Sequence, residues 1–380
     1  MKCPHFSLCA GCSLDLTPQA HLSLSSFEEA SLFFKARGFS PLPFHLGNLL
    51  HWRTRAKLAV RGAPGKIQIG LFQAQSHEVL EIPQCLVHHP LINKAIKLFQ
   101  DFANKSHFVP YQEKTGQGFL RYLQLSLDRT QLKIQLALVL NRLPNPQEKE
   151  ALKRLWLEHP EVWHSLWINL NTRRDNVIFG PEWSLLFGEP WLWEKILNRE
   201  IAFHPASFAQ ANPEAFETLL KILKTQLPEN MTLVEFYAGS GVIGLSLLDQ
   251  CQEIYFNELA PLAQTCFEES RKKLPFNLSS RLSFLSGPAS SHLHLLERPG
   301  IDTLLVDPPR KGLDVEVLNA ILQARHISRF IYISCGWESF KRDCDQILQG
   351  GFHLERAEAF SFFPGTAQLE ILAHFSRAPL

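Results

Sequence analysis

Apolar and polar positions change their spacing near residue 200, and that change divides the chain. Before it, short apolar runs alternate with polar residues, the period of strands with one buried face. The runs cover 67–72, 119–127, 132–140 and 162–169. An amphipathic helix is predicted over 146–157, and another over 26–38 with Phe27, Ala30, Leu32, Phe33 and Phe34 on its apolar face. A polar turn at 171–175 predicts a hairpin closed by 176–180. Residues 1–200 thus read as a mostly antiparallel α+β domain. From 201 to 380, strand patterns at 232–236, 253–256, 282–285, 303–306, 330–334, 352–360 and 369–375 alternate with helical ones, such as 242–248. That is the signature of a mainly parallel α/β sheet, here of seven strands.

Composition adds boundaries rather than function. A chain of 380 residues is long for one ordinary domain. It contains no apolar run able to span a bilayer, so the expectation is a soluble cytoplasmic protein. A net charge of +1 neither favours nor excludes a nucleic-acid partner. Locally, Arg53, Arg55, Lys57 and Arg61 recur at period two beside Trp52. On a strand they share a face, which suits phosphate contacts or a solvated outer surface equally well.

Cys3, Cys9 and Cys12 have the spacing C-x5-C-x2-C, and Cys85 follows at a distance. Four thiolates fit a structural zinc or an iron–sulfur cluster, and spacing leaves both open. Unrelated buried thiols are the bland alternative. Cys251, Cys266 and Cys344 read as structural.

Reactive side chains gather at the ends of the later strands. Gly239 and Gly241 follow the strand 232–236 and permit a tight turn against a ligand at a helix start; Gly244 completes a longer glycine spacing. Glu258 ends the next strand, where a carboxylate can take ribose hydroxyls. Asp307 ends the fourth strand and Cys335 the fifth. Seven strands point to an S-adenosylmethionine (SAM) methyltransferase sheet, whose last strand runs antiparallel. Glu370, at the start of that strand, would then face Cys335 and Asp307 across a cleft. A thiol and a carboxyl beside a methyl donor solve one problem, methylation at C5 of uracil. The thiolate attacks C6 to make C5 nucleophilic, and the carboxylate removes the C5 proton. Arg310 could steady enolate or phosphate charge, and the base must leave its stack to reach the site. Taken alone, Cys335 also reads as a small buried hydrophobe.

The segments DPPRKG, YISCG, FAQAN, EFYAGSGVIGL and FFPGTAQLEIL, with the four cysteines, resemble the RNA uracil-5-methyltransferase family over essentially the whole chain. The resemblance implies methyl transfer from SAM to C5 of a uridine in 23S rRNA or tRNA. It implies Cys335 as nucleophile and Glu370 as proton acceptor. Gln210, Tyr237, Glu258 and Asp307 would bind SAM, and Cys3, Cys9, Cys12 and Cys85 would hold a [4Fe-4S] cluster. Val242 stands where some members have Asn, and Gly365 and Gln368 where the family often has His. The short form with a cysteine cluster looks most like the 23S rRNA enzymes. A tRNA enzyme of the same chemistry and a catalytically silent RNA-binding iron–sulfur protein are the competing readings.

Overall fold

The computed structural model describes residues 3–378 of the chain. Its first sheet has seven strands, in the spatial order Val79–Glu81, Lys66–Phe72, Arg55–Ala63, Leu120–Asp128, Lys133–Leu140, Trp163–Leu170 and Glu182–Gly188. All neighbours are antiparallel except Lys133–Leu140 and Trp163–Leu170, which are joined through the helix Pro146–Glu158. That crossover needs a helix because parallel neighbours cannot be linked by a tight turn. Asn145 and Glu148 form a reciprocal capping box at its start, and Pro146 takes the first helical position. Ala151, Leu152 and Leu155 from this helix, with Ile92, Ala95, Ile96 and Phe99 from Pro90–Lys105, bury one face of the sheet.

The expected hairpin partner at 176–180 is not a strand. The Asn171 side chain donates to the Val177 and Ile178 carbonyls at 2.7 and 2.9 Å and holds that stretch as a loop. The returning strand is Glu182–Gly188. A further hairpin, Leu192–Ile196 with Arg199–Phe203, leads out of this sheet.

The second sheet has eight strands rather than seven. Their order is Phe44–His45, His353–Phe360, Glu370–Ser376, Arg329–Ser334, Thr303–Val306, Met231–Phe236, Cys251–Glu258 and Leu282–Ser286. The extra edge strand is two residues long and too short to leave a periodic trace; it pairs parallel with Ala359 and Phe360. Only Glu370–Ser376 opposes its neighbours, antiparallel on both sides. Ala30 and Phe34 of the helix Ser25–Lys35, with Leu42, pack into the core of this sheet. Residues 18–45 therefore belong by packing to the later half of the chain, although they precede the first sheet. Of the predicted face of that helix, Leu32 instead points to solvent.

Met231–Phe236 has Cys251–Glu258 on one side and Thr303–Val306 on the other. The strand order reverses there, and in open α/β sheets the crevice beyond such a reversal is where ligands settle.

Candidate active site

Register places the predicted residues along one edge. Phe236 lies opposite Asn257 and Val306, and Val306 lies opposite Tyr332. Tyr237, Glu258 and Asp307, each one residue further on, emerge together at the carboxyl ends of these strands. The last strand arrives from the other direction. Ile371 is paired with Ser334, so Glu370 stands opposite the position just beyond Ser334, which is Cys335. Reversal of one strand brings together residues far apart in sequence.

Two loops, one carrying Arg310 and the other Cys335, brace each other. The Ser339 hydroxyl donates to the Arg310 carbonyl at 2.8 Å. The Leu313 amide and the Tyr332 hydroxyl both donate to Asp343 Oδ2, at 2.9 and 2.7 Å. Gly336, directly after Cys335, lets the loops touch. A Cβ there would lie 2.5 Å from the Arg310 carbonyl oxygen and 2.6 Å from Ser339 Oγ.

The electrostatics are those of acids gathered away from water. Burial, then Glu370 and Asp307, push the half-buried Cys335 thiol up to about 11, while Arg310 pulls it down. Glu370 is only 5% exposed and is raised well above the usual carboxylate range by burial and by Asp307. Loss of solvent lifts Asp307 to about 7, although part of the residue still meets solvent. Glu235, which sequence reasoning missed, lies fully buried on the strand below and is pushed to about 8, first by burial. Its signal was an acid inside an otherwise apolar strand, just before the glycine turn. Such a cluster favours a cationic ligand, because a positive charge would let the acids ionise.

The glycine turn is built for close approach. Gly239 and Gly241 have φ of 55° and 76°, and Tyr237 shares the left-handed region at 60°, a strain that a bulky residue tolerates only where its surroundings hold it. The Gly239 amide donates to Glu258 Oε2 at 2.9 Å, and the Ala260 amide donates to Glu258 Oε1 at 2.8 Å. Beneath the turn, the Gly244 amide donates to Glu235 Oε2 at 2.8 Å. A Cβ on Gly244 would stand 2.4 Å from that oxygen, so the third glycine serves packing of helix on strand.

Gln210 is reached by another route. It lies half-buried in the segment between the two sheets. The Thr54 amide donates to the Ala211 carbonyl at 2.8 Å, and Asn212 Nδ2 donates to the Phe362 carbonyl at 3.1 Å.

All eight cysteines are free. Cys3, Cys9, Cys12 and Cys85 come near one another. Burial pushes the Cys12 thiol up to about 11, with Cys85, Cys9 and Cys3 adding to the rise. The donor set of four sulfurs suits a soft metal centre. Among the described residues, however, no three His, Cys, Asp or Glu side chains are placed to hold a metal ion. The sulfurs as they stand are neighbours rather than a closed tetrahedral site.

Two of the four cations in the row are paired with acids. Arg61 is buried and paired with Glu113, and Arg55 meets Glu194 at 3.2 Å. Lys57 stays exposed, 4.6 Å from the Phe179 ring centre, and Arg53 lies 4.8 Å from that of Trp52.

Comparison with known proteins gives matches in both sequence and fold. The tRNA (uracil-5-)-methyltransferase family matches residues 294–377. An RNA methyltransferase of Protochlamydia amoebophila is 40% identical over 383 residues, covering 99% of this chain and 98% of that one. An RNA methyltransferase of Bacillus cereus is 27% identical over 381 residues, covering 98% of this chain and 82% of its relative. The crystal structure of Pyrococcus abyssi tRNA (uracil-54, C5)-methyltransferase with S-adenosyl-L-homocysteine superposes with a TM-score of 0.76. It covers 97% of this chain and 86% of that one at 20% identity, a likeness of fold.

Proposed function

The chain belongs to the RNA uracil-5-methyltransferase family and is a SAM-dependent RNA methyltransferase, and from that premise we propose that it methylates C5 of one uridine in 23S rRNA through a covalent adduct on Cys335. The observation that carries the reading is the register of the last strand, which sets Glu370 opposite Cys335 at a sheet edge lined by buried acids.

Cys335 Sγ, as thiolate, adds to C6, and the C5–C6 π pair moves onto C5 and the C4 carbonyl as an enolate. Arg310, near both Cys335 and Glu370, offsets that negative charge. When bound, SAM supplies the methyl group to C5 from its sulfonium. Glu370 then takes the C5 proton, the freed pair restores C5=C6, and the C6–Sγ bond breaks to return the thiolate. Tyr237, Gly239, Glu258, Asp307 and Gln210 form the proposed SAM-binding set. These acids would be cheaper to ionise, and Cys335 and Glu370 with them, beside a cationic donor held by that set.

The preference for 23S rRNA rests on the four-cysteine pattern of Cys3, Cys9, Cys12 and Cys85. The matching tRNA family and the tRNA enzyme of similar fold favour a tRNA substrate as the second reading. A catalytically silent iron–sulfur protein is set aside, because the chain is an enzyme of this family. Mass spectrometry of rRNA and tRNA from a deletion strain tests both substrates. 5-Methyluridine should disappear from 23S rRNA and persist in tRNA; no change in either RNA would sink the proposal. RNA carrying 5-fluorouridine should trap the protein covalently, and Cys335→Ser should abolish the trap.

The four N-terminal thiols, Cys3, Cys9, Cys12 and Cys85, belong to the same reading as holders of a [4Fe-4S] cluster. A cluster spreads its thiolate ligands wider than one metal ion does. Anaerobic reconstitution with iron and sulfide should yield a broad visible absorbance that is lost when Cys12 and Cys85 are replaced by Ser.

A further inference from the structure

Glu370 enters the site from a nine-residue loop, 361–369, that joins the last two strands. Pairing with Phe360 begins only at Glu370, so the strand end that carries the carboxylate is as steady as the loop that enters it. This loop is gripped by the start of the chain, and the grip centres on the Gly365 peptide. Its carbonyl accepts from the Ser13 and Leu14 amides at 2.8 and 3.0 Å. Its amide donates to His21 Nε2 at 2.8 Å. Gly365 has a φ of 93°, and a Cβ there would lie 3.0 Å from both Cys12 Sγ and Leu16 Cδ2. Nearby, the Ser26 hydroxyl donates to the Ala367 carbonyl at 3.1 Å.

His21 is fully buried, and its partners fix its tautomer. The Thr17 carbonyl, 2.7 Å from Nδ1, can only accept, so Nδ1 carries the hydrogen. The Gly365 amide can only donate, so Nε2 must be bare. A neutral imidazole thus links the helix Pro18–Leu22 to the loop, five residues before Glu370.

We propose that His21 is a positioning residue for Glu370, holding the Gly365 loop so that the carboxylate is in place when the C5 proton must leave. This rests on the covalent mechanism above. With the loop slack, Cys335 still adds to C6 and C5 still takes its methyl group. Transfer of the C5 proton to Glu370, with return of the electron pair to C5=C6 and release of Sγ, becomes the slow step. The covalent adduct then accumulates on ordinary RNA.

The test uses the full-length protein, SAM and total RNA from a deletion strain, with adduct read on denaturing gels beside turnover. His21→Leu fills the space without an acceptor and should lower turnover about tenfold while raising the adduct fraction several-fold. KM for SAM should stay within about twofold, since Tyr237, Gly239, Glu258 and Asp307 of the proposed SAM set follow other strands and only the Gln210 segment touches this loop, at Phe362 rather than Gly365. His21→Gln, whose amide oxygen reaches the Nε2 position, should restore turnover. Gly365→Ala, which presses on Cys12 and Leu16 and leaves His21 intact, should also accumulate adduct, so a poorly folded Leu variant does not end the test. Loss of turnover without adduct in both variants, or wild-type turnover in both, overturns the proposal. Failure of the wild-type protein to trap on 5-fluorouridine RNA would instead overturn the covalent mechanism beneath it.

Discussion

A thiol held at about 11 is a poor nucleophile at neutral pH, with roughly one part in a thousand ionised at pH 8. As the proposed nucleophile, Cys335 therefore needs a positive neighbour, and the expected source is the methyl donor. Alkylation of Cys335 by iodoacetamide should be several-fold faster with a SAM analogue bearing an amine in place of the sulfonium than with neutral S-adenosylhomocysteine. Equal rates would show that the charge plays no part. Glu235 makes a second expectation. Its carboxyl sits near 8 in the folded protein against an ordinary 4.5, so the fold binds a proton that the unfolded chain releases. The associated stability is complete below about pH 4.5 and is lost as the pH rises to about 8. Asp307 acts in the same sense. The melting temperature of the ligand-free protein should fall across that window. Glu235→Gln, which keeps an acceptor for the Gly244 amide, should flatten the fall.

Among the elements, the close contact at Gly336 is the most exposed to a small change. Gly336→Ala forces the loop bearing Arg310 away from the one bearing Cys335, an overpacking cost of about 1–3 kcal/mol. Turnover should drop by tenfold or more in single-turnover assays, with the melting temperature lowered by only a few degrees. Elements of this size were legible because their periods are long enough to register. The helix Pro146–Glu158 and the strands ending in Asp307 and Cys335 appear where spacing put them, and the reversed last strand followed from strand count. Phe44–His45 was not legible, because two residues carry no period. The apolar residues at 177–179 read as a strand but are loop anchors for Asn171 and Arg173. His21 and Glu235 stayed hidden for different reasons. The meaning of His21 lies in one amide far along the chain, which spacing does not record, whereas Glu235 is bonded to the nearby Gly244 amide and left only its place in an apolar strand as a signal.

At the scale of the whole molecule, the two sheets are tied by the segment from Phe203 to Pro213 and by a charge network beside it. Glu194, 4% exposed, meets Arg55 at 3.2 Å and Arg129 at 3.5 Å, and Arg129 also meets Glu217 at 2.8 Å. Glu194→Gln takes the carboxylate from Arg55, while Arg129 keeps Glu217, and should cost about 2–3 kcal/mol in urea unfolding. Glu217→Gln, at the more open end, should cost under about 1 kcal/mol. Among the described residues no helix is long and apolar enough to cross a membrane. The placement of residues 18–45 against the later sheet also bears on how the protein is made. Their partners, His353–Phe360 and the turn at Gly365, emerge from the ribosome more than 300 residues after them. The first sheet can close while synthesis continues, but the opening stretch must wait, unpaired, for the last strands of the nascent chain. A translation product halted before residue 350 should be cleaved by protease within its first fifty residues, and the finished chain should resist there.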